Sequence, residues 1–266
     1  MLATFTLTVP ESKRLIAKGV KALPEVKEAM EKHKIIVAGG TTNGYVAEEL
    51  IEKELEKEYY TAGTVSQGLH CSTAPNKRIK SLTLEAGEGQ DEDWLDFLGE
   101  FTSRDVFIKG ANAFDNEGIA GVLAGHPEGG TIGAAIGTLI ARGAYLIVPV
   151  GLEKRIESVK KASQLVGIDK IDYSYGMKAG LIPVTYGKIV TELEALNILT
   201  GVEVEQIAAG GIGESSGAVT LAVEGTEDEV VATMELIKEI KGEPKLEANK
   251  KACKDCPNHC NQVKEI

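Results

Sequence analysis

Near its carboxyl end the chain reads CKDCPNHC, which sets Cys253, Cys256 and Cys260 at C-x2-C-x3-C spacing. Three thiolates this close in sequence can converge on one metal centre. A closed site needs a fourth ligand, and Cys71 supplies it if the tail folds back over the main body, with His70 and His259 as imidazole alternatives. A 4Fe-4S cluster is the first expectation, favoured by the proline after Cys256, and a tetrahedral zinc clamp is the second. Free or redox-active thiols remain a third reading.

A different chemistry is expected where glycines follow apolar runs. In GGTTNGYVAEEL, residues 39–43 lie between a buried-strand pattern and a helical one. Backbone N–H groups there, with the helix dipole, favour a phosphate or carboxylate. Gly39, Gly40, Thr41, Thr42 and Asn43 are the candidate contacts, although Thr42 or Asn43 could equally cap the helix. A second turn, GHPEGGTIG, precedes another helix and adds Gly130 and Thr131. Between them, KGANAFDNEG places Lys109, Gly110, Asn112, Asp115 and Glu117 beyond a third apolar run. Asp115 or Glu117 would move a proton and Lys109 would stabilise negative charge, the alternative being that the carboxylates form the turn. No Gly-Lys-Ser/Thr follows either turn, and GGIGESSG joins two strand patterns, so neither ATP hydrolysis nor a dinucleotide fingerprint is expected.

The elements that must position these residues follow from periodicity. Residues 34–38 (KIIVA), 105–109 (DVFIK) and 145–150 (YLIVPV) are short, continuous apolar runs, as expected of strands buried on both faces. Helical spacing marks residues 11–22, 24–32, 45–57 and 131–142. This alternation predicts an α/β fold, a Rossmann-like parallel sheet layered with helices. From residue 191 the pattern becomes helix, hairpin and helix, a small α+β subdomain. The expected division is an α/β ligand-binding domain over 1–184, the subdomain over 185–245 and a cysteine tail over 246–266.

The order of AGGTTNGYVAEEL, DVFIKGANAFDNEG and YLIVPVGLEKRI, over about residues 34–155, resembles the superfamily of ribose-5-phosphate isomerase, glucosamine-6-phosphate deaminase and CoA transferases. The resemblance implies an isomerase-like or transferase-like activity. It makes Gly39, Gly40, Thr41 and Thr42 a phosphate loop, with Lys109, Gly110, Asn112 and Asp115 as a second active-site turn. The chain departs from the isomerase pattern where it reads Gly-Ala-Asn-Ala-Phe-Asp in place of a Gly-Ala-Asp-Glu type of motif. The region after residue 185 is similar to the ferredoxin-like inserts of such enzymes, which help form oligomers, so a homo-oligomer is expected.

Bulk properties narrow the partners. A net charge of -11 repels phosphate backbones and acidic membrane surfaces, so nucleic acid and membrane are not expected. Residues 1–10 lack the basic and apolar regions of an export signal, and no apolar stretch is long enough to span a bilayer. A cytoplasmic protein with reduced thiols is the expectation, acting on a small anionic metabolite as an enzyme; the alternatives are a non-catalytic metabolite or redox sensor and an oligomeric structural module with a zinc clamp.

Overall fold

The computed structural model describes residues 1–248, and Cys253, Cys256 and Cys260 lie outside the described residues. The chain begins with β1 (Leu2–Leu7), α1 (Val9–Ala22), α2 (Pro24–Lys32), β2 (Lys34–Val37) and α3 (Thr41–Ile51). Two hairpins follow, β3 (Gly63–Ser66) with β4 (Leu69–Ser72) and β5 (Leu82–Glu85) with β6 (Glu88–Gly89). After α4 (Trp94–Gly99) come β7 (Val106–Ile108), β8 (Ala113–Phe114), β9 (Ala120–Ala124), α5 (Gly130–Arg142) and β10 (Tyr145–Pro149). The remainder is α6 (Val159–Leu165), β11 (Gly180–Val184), β12 (Lys188–Val190), α7 (Glu192–Thr200), β13 (Glu203–Gly210), β14 (Ala218–Glu224) and α8 (Glu227–Ile240).

The fold is mixed α/β, centred on a six-stranded sheet of order β12-β10-β7-β2-β5-β6. Strands β12, β10, β7 and β2 are parallel, and β5 joins β2 antiparallel. Ile35, Ile36, Val37, Val106, Phe107, Ile108, Leu146, Ile147 and Val148 are all buried, which is why these runs are continuous and not alternating. Across the sheet the parallel strands follow chain order without reversing, whereas doubly wound nucleotide-binding sheets reverse at the ligand crevice. All four therefore present their carboxyl ends along one uninterrupted edge.

The sheets link the segments expected as 1–184 and 185–245. The expected helix, hairpin and helix are present as α7, β13, β14 and α8, but the third strand of their antiparallel sheet, β1-β14-β13, comes from the amino end. In turn β12, from the expected subdomain, belongs to the main sheet. The two sheets thus exchange strands through the chain and are not consecutive units. A hairpin-based sheet, β11-β9-β8, is a feature that the sequence patterns did not announce. Helix α3 spans residues 41–51, earlier than the expected 45–57, because Glu52 turns into the left-handed region at φ 51° and Lys57–Tyr59 forms a short 3-10 turn.

Helix α1 holds the assembly together. Its apolar face, Leu15, Ile16, Ala17 and Val20, is buried, and it packs on both α3 and α7. The approach to α7 is so close that a Cβ on Gly19 would stand 2.6 Å from Ala195 Cβ and 2.7 Å from its Cα. Helix propensity alone would make Gly19→Ala a gain of about 1 kcal/mol. The overlap reverses the sign, so Gly19→Ala is expected to destabilise the protein by about 1–3 kcal/mol in urea unfolding. Equal or greater stability would mean that the helices are not in this contact.

Candidate functional site

The carboxyl ends of β2, β7, β10 and β12 lie side by side, and each is followed by a turn carrying polar groups. After β2 come Gly39 and Gly40, which caps α3 without any side-chain hydrogen bond. The Gly40 N–H donates to Tyr60 O at 2.6 Å, and Tyr60 Oη donates to Val37 O, also at 2.6 Å. The turn is thereby fixed to its own strand. Thr41 is half-buried and Thr42 is buried just inside α3. No described residue accepts a hydrogen bond from the N–H of either.

Asn43 is fully buried, and its amide joins the first two strand ends. Nδ2 donates to Ala38 O at 2.6 Å and to Ile108 O at 3.4 Å, while Oδ1 accepts the Gly110 N–H at 3.0 Å. The expected ligand donor is therefore committed to the scaffold: it holds the Gly39 and Gly110 turns in register.

Beyond β7, half-buried Lys109 points its ammonium between the carbonyls of Gly39, at 3.3 Å, and Gly110, at 3.4 Å. No described carboxylate forms an ion pair with it. Burial, with neighbouring Lys154 as the second cause, pulls its pKa down to about 8. Lys13, on α1, has the same causes in the same order and is likewise lowered to about 8, with Glu153 pulling the other way. The Lys154 ammonium donates to Ala111 O at 3.2 Å and stands 4.0 Å from the Glu153 carboxylate. The Lys154 ammonium thus acts on both Lys109 and Lys13 at the strand ends. One described carboxylate, Glu153, partly offsets Lys13 and Lys154.

Glu192 completes the edge at the end of β12. It is fully buried and accepts the Leu152 N–H at 2.9 Å through Oε2. Burial first, and the Glu153 charge second, push its pKa up to about 7. Glu153 itself folds back over its own turn, so that a Cβ on Gly151 would run into its carboxylate.

The other expected residues occupy different places. Asp115 is buried in the turn between β8 and β9, where Oδ1 accepts the N–H groups of Glu117 and Ile119, both at 3.1 Å. Its Oδ2 accepts the Val159 N–H at 2.8 Å. Three backbone donors occupy the oxygens that proton transfer would need, so its geometry is that of a loop clamp. Glu117 and Asn112 are exposed, and Asn112 Oδ1 accepts the Leu123 N–H at 3.0 Å. Gly130 and Thr131 open α5 beside the small sheet, close to Ile182 through Gly129. Cys71 is half-buried on β4, paired in register with Thr64. Among the described residues no group of three or more His, Cys, Asp or Glu side chains is placed to hold a metal ion.

Lys13, Lys154, Glu153 and Glu192 were not singled out by motif. The pair Glu153–Lys154 directly follows an apolar run ending in glycine, a signal available in the sequence. Lys13 gave none, because it stands on a helix opposite the strand ends.

The low pKa of Lys109 has a measurable sign. Below about pH 8 the folded protein keeps a buried charge that the unfolded chain solvates freely; between about 8 and 10.5 the folded state has lost the proton and the unfolded state has not, so stability rises with pH. Lys109→Met is therefore expected to melt a few degrees above the parent protein near neutral pH. The advantage should shrink as the pH climbs through that window. A variant less stable at every pH would show that the ammonium is satisfied where it is.

No protein-family model, no curated protein and no solved structure matches the chain, so what this edge does is argued from its own residues.

Proposed function

We propose that the protein binds a small phosphorylated or carboxylated metabolite at the carboxyl edge of its parallel strands and turns it over as an isomerase-like or transferase-like enzyme. The observation that carries this reading is the unpaired Lys109 ammonium, held beside the Gly39 turn with Lys154 and Lys13 as neighbours. Burying Lys109 and Lys13 opposes folding and is the first cause of their lowered pKa values, with like-charge repulsion from Lys154 second. An anionic ligand removes that repulsion. The uncapped first turn of α3 adds N–H groups and a favourable dipole on the same side. An anion would also raise the lysine pKa values, so binding takes up protons where the empty site has lost them.

Titration calorimetry with inorganic phosphate tests the binding. Lys109→Met and Lys154→Met should each weaken it by about tenfold or more, the scale of one charge-assisted contact, while unfolding stays cooperative. The parent protein should bind more weakly at about pH 9 than at about pH 7, since the two depressed lysines discharge between them. Binding indifferent to both substitutions would place the anion elsewhere. Turnover would then be sought by proton NMR across a panel of phosphorylated and carboxylated metabolites.

The spacing of Cys253, Cys256 and Cys260 supports a separate proposal, a tail iron-sulfur cluster or, alternatively, a zinc ion. Cys71 is its suggested fourth ligand. Metal and sulfide analysis of anaerobically purified protein decides between them: iron with acid-labile sulfide and broad visible absorption for the cluster, stoichiometric zinc for the clamp. Cys71→Ala should lower the metal content if that thiol is a ligand. Metal-free protein under these conditions would reject the site.

A further inference from the structure

Glu192 is a fully buried carboxyl that the start of its own helix does not need. It is the first residue of α7, but the helix start is already satisfied by Thr191 and Glu194: Thr191 Oγ1 accepts the Leu193 N–H at 3.1 Å, and Glu194 Oε2 accepts the Thr191 N–H at 2.8 Å. Of its own oxygens, Oε2 takes the Leu152 N–H. Oε1 is buried with no partner among the described residues at hydrogen-bond geometry, and the Ser12 hydroxyl on α1 is the side-chain donor that acts on the carboxyl. A carboxyl left half-satisfied in the interior costs stability, and an apolar side chain of similar size would fill the space more cheaply.

The position gives that oxygen a purpose. Neighbouring strands are separated by about 4.8 Å, so the ends of β7 and β12, two strands apart, are roughly 10 Å from each other. Lys109 stands at the first, Glu192 at the second, and the Leu152–Lys154 turn of β10 lies between them. The charged and polar groups around Glu192 are Glu153 on that turn and, from α1, Ser12, with Lys13 beside it. The edge therefore has a cationic end and a carboxyl end.

We propose that Glu192 is a second ligand contact of the strand-end site, its unpartnered oxygen meeting a hydroxyl or carbonyl group on a ligand whose anionic group lies among Lys109, Lys154 and Lys13. This rests on the anion-site reading above and deepens it: the ligand is a small anion carrying an oxygen function a few carbons from its charge, and a bare or purely aliphatic anion fills only half the site. Near neutral pH the carboxyl can meet such a group either as donor or as acceptor.

The test compares anions that differ only in the hydroxyl groups. Calorimetry is run with inorganic phosphate, propyl phosphate and glycerol phosphate, and separately with succinate and malate, on the parent protein, Glu192→Leu and Glu192→Gln. The parent should prefer the hydroxylated member of at least one pair by about tenfold, the discrimination open to a site built to hydrogen-bond a hydroxyl. Glu192→Leu should erase that preference to within about twofold while leaving inorganic phosphate binding unchanged, and Glu192→Gln should restore part of it. In infrared spectra near neutral pH, a protonated-carboxyl band absent from Glu192→Gln should shift on adding the preferred hydroxylated ligand and not its aliphatic counterpart. The phosphate pair and the carboxylate pair separate the two sources of the anionic group. A preference that survives Glu192→Leu, or a loss that falls equally on inorganic phosphate, overturns the proposal and leaves the anion site standing. Failure of the parent to bind any of these anions removes the anion site and this contact together.

Discussion

The amide of Asn43 holds the ends of β2 and β7 together from inside the protein, donating to one carbonyl from each strand and accepting the Gly110 N–H. Parallel strands cannot be joined by tight turns, so their carboxyl ends would otherwise be held only by the sheet ladder. With the amide in place, the Gly39 turn and the Lys109–Gly110 turn form one rigid surface. Lys109 reaches from one to the other. The two turns whose carbonyls meet the Lys109 ammonium are thus tied together by this one buried side chain.

Around that tie the molecule accepts local instability. Tyr60 fastens the Gly39 turn to β2, and Arg14 on α1 binds Glu48, Glu49 and Glu243 in a partly buried network. Those charges are paired. At the strand ends, by contrast, Lys13 and Lys109 form no ion pair among the described residues, and Glu192 keeps an oxygen without a hydrogen-bond partner among them. A satisfied ionic network on one side of α1 thus contrasts with an unsatisfied one near the other, an arrangement that a fold selected for stability alone would avoid.

The elements of the main sheet were legible because they are buried on both faces. Continuous runs such as IIV at 35–37 and VFI at 106–108, each closed by glycine soon after, are too short for a buried helix and rich in β-branched residues, which marks them as core strands. Helix starts were readable where Thr191–Glu194 and Thr226–Glu229 spell out capping boxes. The short strands β8 and β11 were not, since a two-residue strand has no period, and a five-residue strand containing Pro183 in an antiparallel edge position lacks the pattern of a core strand.

By itself the sequence determined the alternation of strands and helices, the glycine turns at Gly39 and Gly110 and the presence of Lys109 beside them, because these follow from local periodicity and backbone preference. The tertiary structure decided what those residues touch. It spent Asn43 and Asp115 on backbone groups, joined the amino-terminal strand to the carboxyl-terminal hairpin, and brought Lys13, Lys154 and Glu192 from distant positions to the same edge. Pairings of that kind are set by burial and by which strand lies next to which, and neither quantity is carried by spacing along the chain.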